Sequence, residues 1–552
     1  MIRKRNLLIL LVIVAAIAVG AFAAESTITV YYDKELGQIN KLVFGNNFLG
    51  HGPMSREPLG ESSSIVPRVV SVMDYGAGIW DPKRKKPVKE VIDLAKETGL
   101  SIARFPGGCG THLYDWKKTI GPEREHFLYG LDEFMKTAEQ IGAEVVMTAS
   151  YYTGDANDAA DLVEYLNAAN DGSNPNGGTD WAAERAKNGH PAPYNVKYFE
   201  VGNETWGSHP PKVKKISPGQ YARRYLKYYE AMKKTDPSIQ IGAVLFWSSS
   251  WNRKVTSIVK DKVDFGIQHT YPSPRVDREK VKKMAPKEVF RISLASPVLR
   301  DENRYPDFLK LLKKNAGRDI PLAITEYNGG FTGLHDPAYR HSLTAALVNA
   351  ELLRIFMKPE YNILMANYWQ FSNSYWGMIK AEGDGFYFTK HSYPKPIKYT
   401  KRPNYYPYQL YNRHFGEVLI DTDVRCDSYR IEDVKLIEYE GNIKELMRNM
   451  KSMDVPFLSV NASKSRDGSK VYLMVINKNT DESITSSIDL KGFIPAERAD
   501  AWVLNGPNVE ATNEDNPDNV KVVHRKFDIK DSPFAFTFEP HSLTAIEIVS
   551  RR

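Results

Sequence analysis

From about residue 40 to residue 370 the chain alternates short β-rich runs with amphipathic stretches. The runs are "LVFGNNF" (42–48), "SIARFPG" (101–107), "EVVMTASYY" (144–152), "KYFEVGNE" (197–204), "IQIGAVLF" (239–246), "VDFGIQHTY" (263–271), "PLAITEYN" (321–328) and "ILMANYWQ" (363–370). Between them lie helix-like segments such as "KEVIDLAKETG", "LDEFMKTAEQIG", "DAADLVEYLNAA" and "SPGQYARRYLKYYEAMKKTD". Several close on glycine, the residue that ends a helix in a left-handed turn. Eight strands separated by helical crossovers predict a parallel (β/α)8 barrel over 40–395. A doubly wound open sheet is the other arrangement of such elements, but no G-x-G-x-x-G follows any strand.

Beyond about residue 395 the period changes. "KVYLMVINKNTDESITSSIDL", "ADAWVLNG" and "SLTAIEIVS" alternate apolar and polar residues over short spans, as in an antiparallel, jelly-roll-like sandwich. "STITVYY" (26–32) has the same character and is expected to pair with that sheet. The sandwich is therefore expected to comprise 24–39 and 396–552. The aromatic-rich stretch "SYPKPIKYTKRPNYYPYQLY" (392–411) reads as an ordered connection.

The N-terminus has Arg3, Lys4 and Arg5, an apolar run from Leu7 to Ala24, and the small-residue pattern Ala21-Phe22-Ala23. This predicts a signal peptide over 1–23 and a secreted or periplasmic mature protein with no stable membrane insertion after cleavage. The run is long enough that an uncleaved anchor is the alternative. The two cysteines, Cys109 and Cys426, form neither a disulfide framework nor a metal site. A formal charge of +7 without a long Lys/Arg block gives no nucleic-acid footprint.

Active sites of this barrel are built where its strands end. Here the strand ends carry Asn203 and Glu204, His269 and Tyr271, Glu326 and Asn328, and Trp369 and Gln370, with Arg104 inside the second strand. Two carboxylates on one rim suit glycoside hydrolysis. One protonates the leaving oxygen, and the other attacks the anomeric carbon or activates water. No cluster of His, Asp and Cys suggests a metal, and no G-x-S-x-G elbow suggests a serine hydrolase. No cofactor is called for.

The stretches "RFPGGCGTHLYDWKKTIGP", "ERAKNGHPAPYNVKYFEVGNE", "HTY", "ITEYN" and "MANYWQFSN" closely resemble glycoside hydrolase family 51, best known for α-L-arabinofuranosidases. The resemblance runs from "FGNNF" to "YNRHFGE" and more weakly into the sandwich. It implies a retaining glycosidase with Glu204 as general acid/base and Glu326 as nucleophile. Asn203 would hold the sugar 2-hydroxyl, His269 and Tyr271 would flank the nucleophile, and Gln370 would contact the sugar. Arg104, Cys109 and Trp369 complete the expected substrate-binding set. The substrate would be a polysaccharide or oligosaccharide, and the chain a candidate homo-oligomer.

Two positions depart from the family pattern. Gly50 stands where a sugar-contacting glutamate is usual, ahead of His51, and Cys109 stands where many relatives have asparagine. Gly50 leaves an endo-glucanase, a xylanase or another glycosidase on the same barrel as alternatives. A catalytically silent carbohydrate-binding protein is a third reading, opposed by both carboxylates being present. Trp116 and Trp376 are either packing residues or a carbohydrate platform, and Gly107-Gly108 reads as a tight turn in the cleft floor.

Overall fold

The computed structural model describes residues 26–48, 78–81, 84–122, 129–207, 215–246, 249–272, 283–302, 304–329, 337–372, 376–382, 398–431 and 453–551. The expected signal segment, Gly50 and His51 lie outside the described residues, as do 392–397 of the aromatic connection.

The first strand, β1 (Ser26–Gln38), is followed by eight barrel strands: β2 (Gly45–Asn47), β3 (Ile102–Phe105), β4 (Glu144–Ala149), β5 (Tyr198–Val201), β6 (Gln240–Val244), β7 (Phe265–Thr270), β8 (Leu322–Tyr327) and β9 (Ile363–Tyr368). They close in sequence order, β9 pairing back onto β2, and every pairing is parallel. Each of the eight apolar runs supplies one of these strands. Most of their residues are buried, because the barrel interior lies on one side and helices cover the other.

The four quoted helix-like segments form α1 (Lys89–Glu97), α2 (Leu131–Ile141), α3 (Ala156–Asn167) and α4 (Pro218–Thr235). α4 starts at Ser217, whose hydroxyl accepts from the Gln220 amide, while the Gln220 side chain accepts from the Ser217 amide. This reciprocal cap satisfies two donors that the first turn leaves free. α2 ends at Gly142 with φ +82, in the left-handed region where glycine carries no Cβ penalty.

The remaining strands of the second layer are β10 (Val418–Arg425), β11 (Leu458–Lys464), β12 (Lys470–Asn477), β13 (Ile484–Lys491), β14 (Pro495–Asn505), β15 (Lys521–Asp528), β16 (Phe534–Phe538) and β17 (Ser542–Ser550). The sheet order is β15-β14-β17-β12-β11-β10-β1-β13-β16. The sheet rolls round a core that includes Ile28, Val30, Leu473, Ile488, Phe536 and Ile546. Arg525 of β15 lies over the ring of Phe536 of β16, so the two ends of the roll meet. One pairing departs from expectation: β1 runs antiparallel to β10 but parallel to β13. β1 comes from the far end of the chain, so no hairpin connection dictates its direction.

Helix α5 (Leu343–Phe356) joins the two layers. Every residue of it except Arg354 is buried, as befits a helix apolar on nearly all sides. Its Glu351 accepts from Arg354 at 2.8 Å and from Ser459 of β11 at 3.2 Å, and Lys478 Nζ lies 3.9 Å away. Burial opposes the Glu351 charge, but Arg354 and Lys478 outweigh it and hold the carboxyl down at about 2.

Candidate active site

All the expected catalytic and binding side chains except Gln370 and Trp369 join one hydrogen-bonded group at the C-terminal ends of the barrel strands. Arg104, on β3, is wholly buried and is the hub. Its Nη1 donates to Glu326 Oε1 at 2.8 Å and to Asn47 Oδ1 at 3.0 Å, and its Nη2 donates to Asn203 Oδ1 at 2.7 Å. Its Nε donates to Glu200 Oε1. Burial works against the Arg104 charge, but Glu200 and Glu326 together outweigh that penalty and raise its pKa.

Glu326 is the penultimate residue of β8, in register with His269 of β7. Its second oxygen, Oε2, accepts from the Tyr271 hydroxyl at 2.6 Å. Burial first, then Glu326 and Glu204, push the Tyr271 phenol well above its ordinary value, so it stays a donor. Glu326 is thus a carboxylate with a cation on one oxygen and a phenol on the other.

Glu204 is differently held. It lies just past β5 with φ +39, a left-handed conformation that a non-glycine residue adopts at a cost of roughly 1–3 kcal/mol. Gly202 at φ +77 makes the preceding bend, and the Gly207 amide closes the turn onto the Glu204 carbonyl at 2.8 Å. The turn directs Glu204 to His269, whose Nδ1 is 2.9 Å from Glu204 Oε1 and 3.5 Å from Glu326 Oε2. Thr325 Oγ1 lies 3.1 Å from the other ring nitrogen. Burial opposes charge on His269, but Glu326 and Glu204 outweigh it and its pKa is raised. One hydrogen is therefore held between His269 and Glu204.

Oxygens of the two glutamates and a His269 nitrogen all lie within 4.8 Å of one another. Two carboxylates and an imidazole at this spacing have the donor set of a small cation site. Both Glu326 oxygens are already engaged, however, and Arg104 brings its own positive charge. The arrangement is better described as two carboxylates in unlike surroundings, one ion-paired and one sharing a proton, which is the pattern of an acid/base and nucleophile pair.

Cys109 is half-buried and accepts from Asn203 Nδ2 at 3.6 Å, so it lines the site rather than filling a gap in the core. Burial, then Glu204 and Glu326, raise its thiol well above the ordinary range, leaving it neutral. Gly107-Gly108 makes room for Trp369. A Cβ on Gly108, whose φ is +71, would fall 2.2 Å from the Trp369 ring. Trp369 is further fixed by the Tyr327 carbonyl, which accepts from its amide at 2.9 Å, and by Asn328, which donates to its carbonyl at 2.6 Å. Gln370 is buried beside it, and no hydrogen bond among the described residues joins it to either glutamate.

Trp116 packs edge-on against Trp181 at 5.0 Å and is buried, and Trp376 lies under the Arg340 guanidinium at 4.3 Å. Both are packing residues. Sequence reasoning missed Asn47, Thr148, Glu200 and Thr325. Asn47 Nδ2 ties β2 to the Thr325 and Tyr368 carbonyls at 2.9 and 3.1 Å. Glu200 is buried within β5, where Thr148 Oγ1 donates to it at 2.6 Å. A carboxylate inside an apolar strand was the available signal.

The chain is similar to known proteins along most of its length. Residues 95–287 match the alpha-L-arabinofuranosidase 1 domain and residues 326–542 the alpha-L-arabinofuranosidase C-terminal domain. A probable alpha-L-arabinofuranosidase C from Aspergillus niger is 27% identical over 515 residues, covering 86% of this chain and 91% of that one. The arabinose complex of the Thermotoga maritima alpha-L-arabinofuranosidase superposes with a TM-score of 0.72 at 25% identity, covering 95% of this chain and all of that one. The thermostable GH51 alpha-L-arabinofuranosidase of Thermotoga petrophila gives 0.71 at 26% identity, with 95% and 99% covered.

Proposed function

The chain belongs to the α-L-arabinofuranosidases of glycoside hydrolase family 51, and from that premise we propose that it releases arabinofuranosyl residues from polysaccharides or oligosaccharides by double displacement. The observation that carries the mechanism is the closeness of Glu204 and Glu326, each of which brings one oxygen within 4.8 Å of one of the other's. Retaining enzymes need carboxyl groups about 5–5.5 Å apart, and inverting enzymes need roughly 6.5–9.5 Å to admit a water.

In the first step a Glu326 oxygen bonds to the anomeric carbon as the bond to the leaving oxygen breaks. Glu204 gives that oxygen its proton. Arg104 and Tyr271 aim the attacking carboxylate, and the Asn203 amide, its oxygen fixed by Arg104, presents Nδ2 to the sugar side. In the second step Glu204 takes a proton from water, the water oxygen attacks the same carbon, and Glu326 departs as a carboxylate. Two inversions give retention.

The test uses a dinitrophenyl arabinofuranoside, whose leaving group needs no proton. Glu204→Ala should show a burst, accumulate the glycosyl-enzyme, and recover turnover with azide to give a glycosyl azide of retained configuration. Glu326→Ala should lose several orders of magnitude in rate, and any azide product should be inverted. The reverse pattern of products would exchange the two roles.

The N-terminal segment supports export. Secreted protein is expected to begin near Ala24, as N-terminal sequencing would read. An intact Met1 terminus in the membrane fraction would instead favour an anchor. No helix among the described residues is long and apolar enough to cross a membrane.

A further inference from the structure

Glu200 is a buried carboxylate that the reaction scheme leaves without a task. It lies in β5, four residues before Glu204, and is fully buried. Its Oε1 accepts from Arg104 Nε and from Thr148, its register partner on β4. Its Oε2 has no hydrogen-bond partner among the described residues. A carboxylate that served only to neutralise a buried arginine would take the two-pronged geometry that satisfies both oxygens. Arg104 instead gives three of its four remaining N–H groups to Asn47, Glu326 and Asn203.

We propose that Glu200 is a positioning residue for the reaction: it grips Arg104 from below and takes a share of its charge, so that Arg104 aligns Glu326 without quenching it as a nucleophile. The inference rests on the reading of Glu326 as nucleophile. A guanidinium with one carboxylate is a neutral pair, and in a low-dielectric interior such a pair binds its electrons tightly. With two carboxylates on Arg104 the triad keeps one net negative charge. That charge favours the oxocarbenium-like transition state next to it. Holding Nε also fixes the guanidinium plane, and with it the Asn203 amide.

The groups that face Glu326 are Arg104 from β3, Cys109 from the turn after it, Glu204 from the end of β5, and His269 and Tyr271 from β7 and its end. Glu200 is joined to Glu326 by the guanidinium they share, that of Arg104. Replacing it by glutamine keeps an acceptor for Arg104 and Thr148 but removes the charge. Arg104 then acts on Glu326 at full strength.

The experiment measures kcat/KM against pH on a dinitrophenyl arabinofuranoside, where protonation of the leaving group is not needed and the acid limb reports the nucleophile. Glu200→Gln should move the acid limb down by about half a pH unit or more and lower the plateau about tenfold. Glu200→Asp should move it the same way by less, because its carboxylate withdraws from Arg104. The aspartate variant decides if the glutamine variant does not fold. An acid limb that stays in place or rises overturns the inference. Trapping the wild type with a 2-fluoro-arabinofuranoside separates the two layers of the argument. An adduct on Glu326 with an unmoved limb overturns the role of Glu200 alone, whereas no adduct on Glu326 overturns both.

Discussion

Tyr271 donates its phenolic hydrogen to Glu326 Oε2 at 2.6 Å, on the carboxylate oxygen that Arg104 does not hold. The two donors act alike on the charged form of Glu326 and together aim it for attack on carbon. Tyr271→Phe is expected to lower kcat/KM by roughly 10- to 100-fold, the worth of one hydrogen bond to a charged group. Its acid limb should move up, because a donor to the ionised form is gone. The pH profile on an activated aryl arabinofuranoside checks both. A limb that moves down would mean that Tyr271 does not act on Glu326.

Gly108 is the other sharp point in the site. Its φ of +71 and the 2.2 Å that a Cβ would leave to the Trp369 ring predict that Gly108→Ala displaces the indole. Activity should fall by about a hundredfold or more, since a misplacement near 1 Å costs that much. The unfolding midpoint should fall only by the few degrees that a strained turn explains. Kinetics and thermal unfolding on one preparation test this, and an active Gly108→Ala would remove Trp369 from the site.

Glu351 ties the barrel to the rolled sheet. Its carboxyl is held down at about 2 against an ordinary 4.5. A depressed carboxyl stabilises the fold above its unfolded pKa, and this contribution is lost as pH falls through the folded value. It amounts to about 3 kcal/mol, at 1.36 kcal/mol per unit. The wild type should therefore lose stability steeply below about pH 4.5. Glu351→Gln should start about 3–5 kcal/mol less stable, with Lys478 left buried and poorly paired, and should show a flatter acid slope. Denaturant unfolding at several pH values measures both terms.

His269 works in the opposite sense. Its pKa is raised above 6.5 despite burial, because Glu326 and Glu204 outweigh desolvation. Its contribution is fully present below 6.5 and is lost as pH rises through the raised value. The stability gap between the wild type and His269→Asn should consequently narrow as pH rises above 6.5 and through the raised value. A gap that widens over that range would contradict the pairing of His269 with the two glutamates.

The barrel was legible because its strands read as short β-rich runs and its helices as longer amphipathic segments, so that length and composition separate the two. The rim of the site was legible because Glu204, His269, Tyr271 and Glu326 sit where such runs end. Glu200, Thr148 and Asn47 were not, because they project inside the barrel from within the runs, where periodicity expects only packing. The parallel pairing of β1 with β13 was hidden for another reason. Alternation tells which face of a strand is buried, and it carries no direction.

That first strand also sets an order of assembly. β1 is made before the barrel, and both its neighbours, β10 and β13, are made after it. Its apolar face, with Ile28 and Val30, must therefore wait through synthesis of the whole barrel for the strands that will cover it. A gene fragment ending near residue 395 would yield a barrel trailing an orphan strand, an invitation to intermolecular pairing. A fragment beginning there would yield a sheet with a slot in its middle. Separating the two layers for study would take a permuted gene, with the β1 segment moved to follow β17.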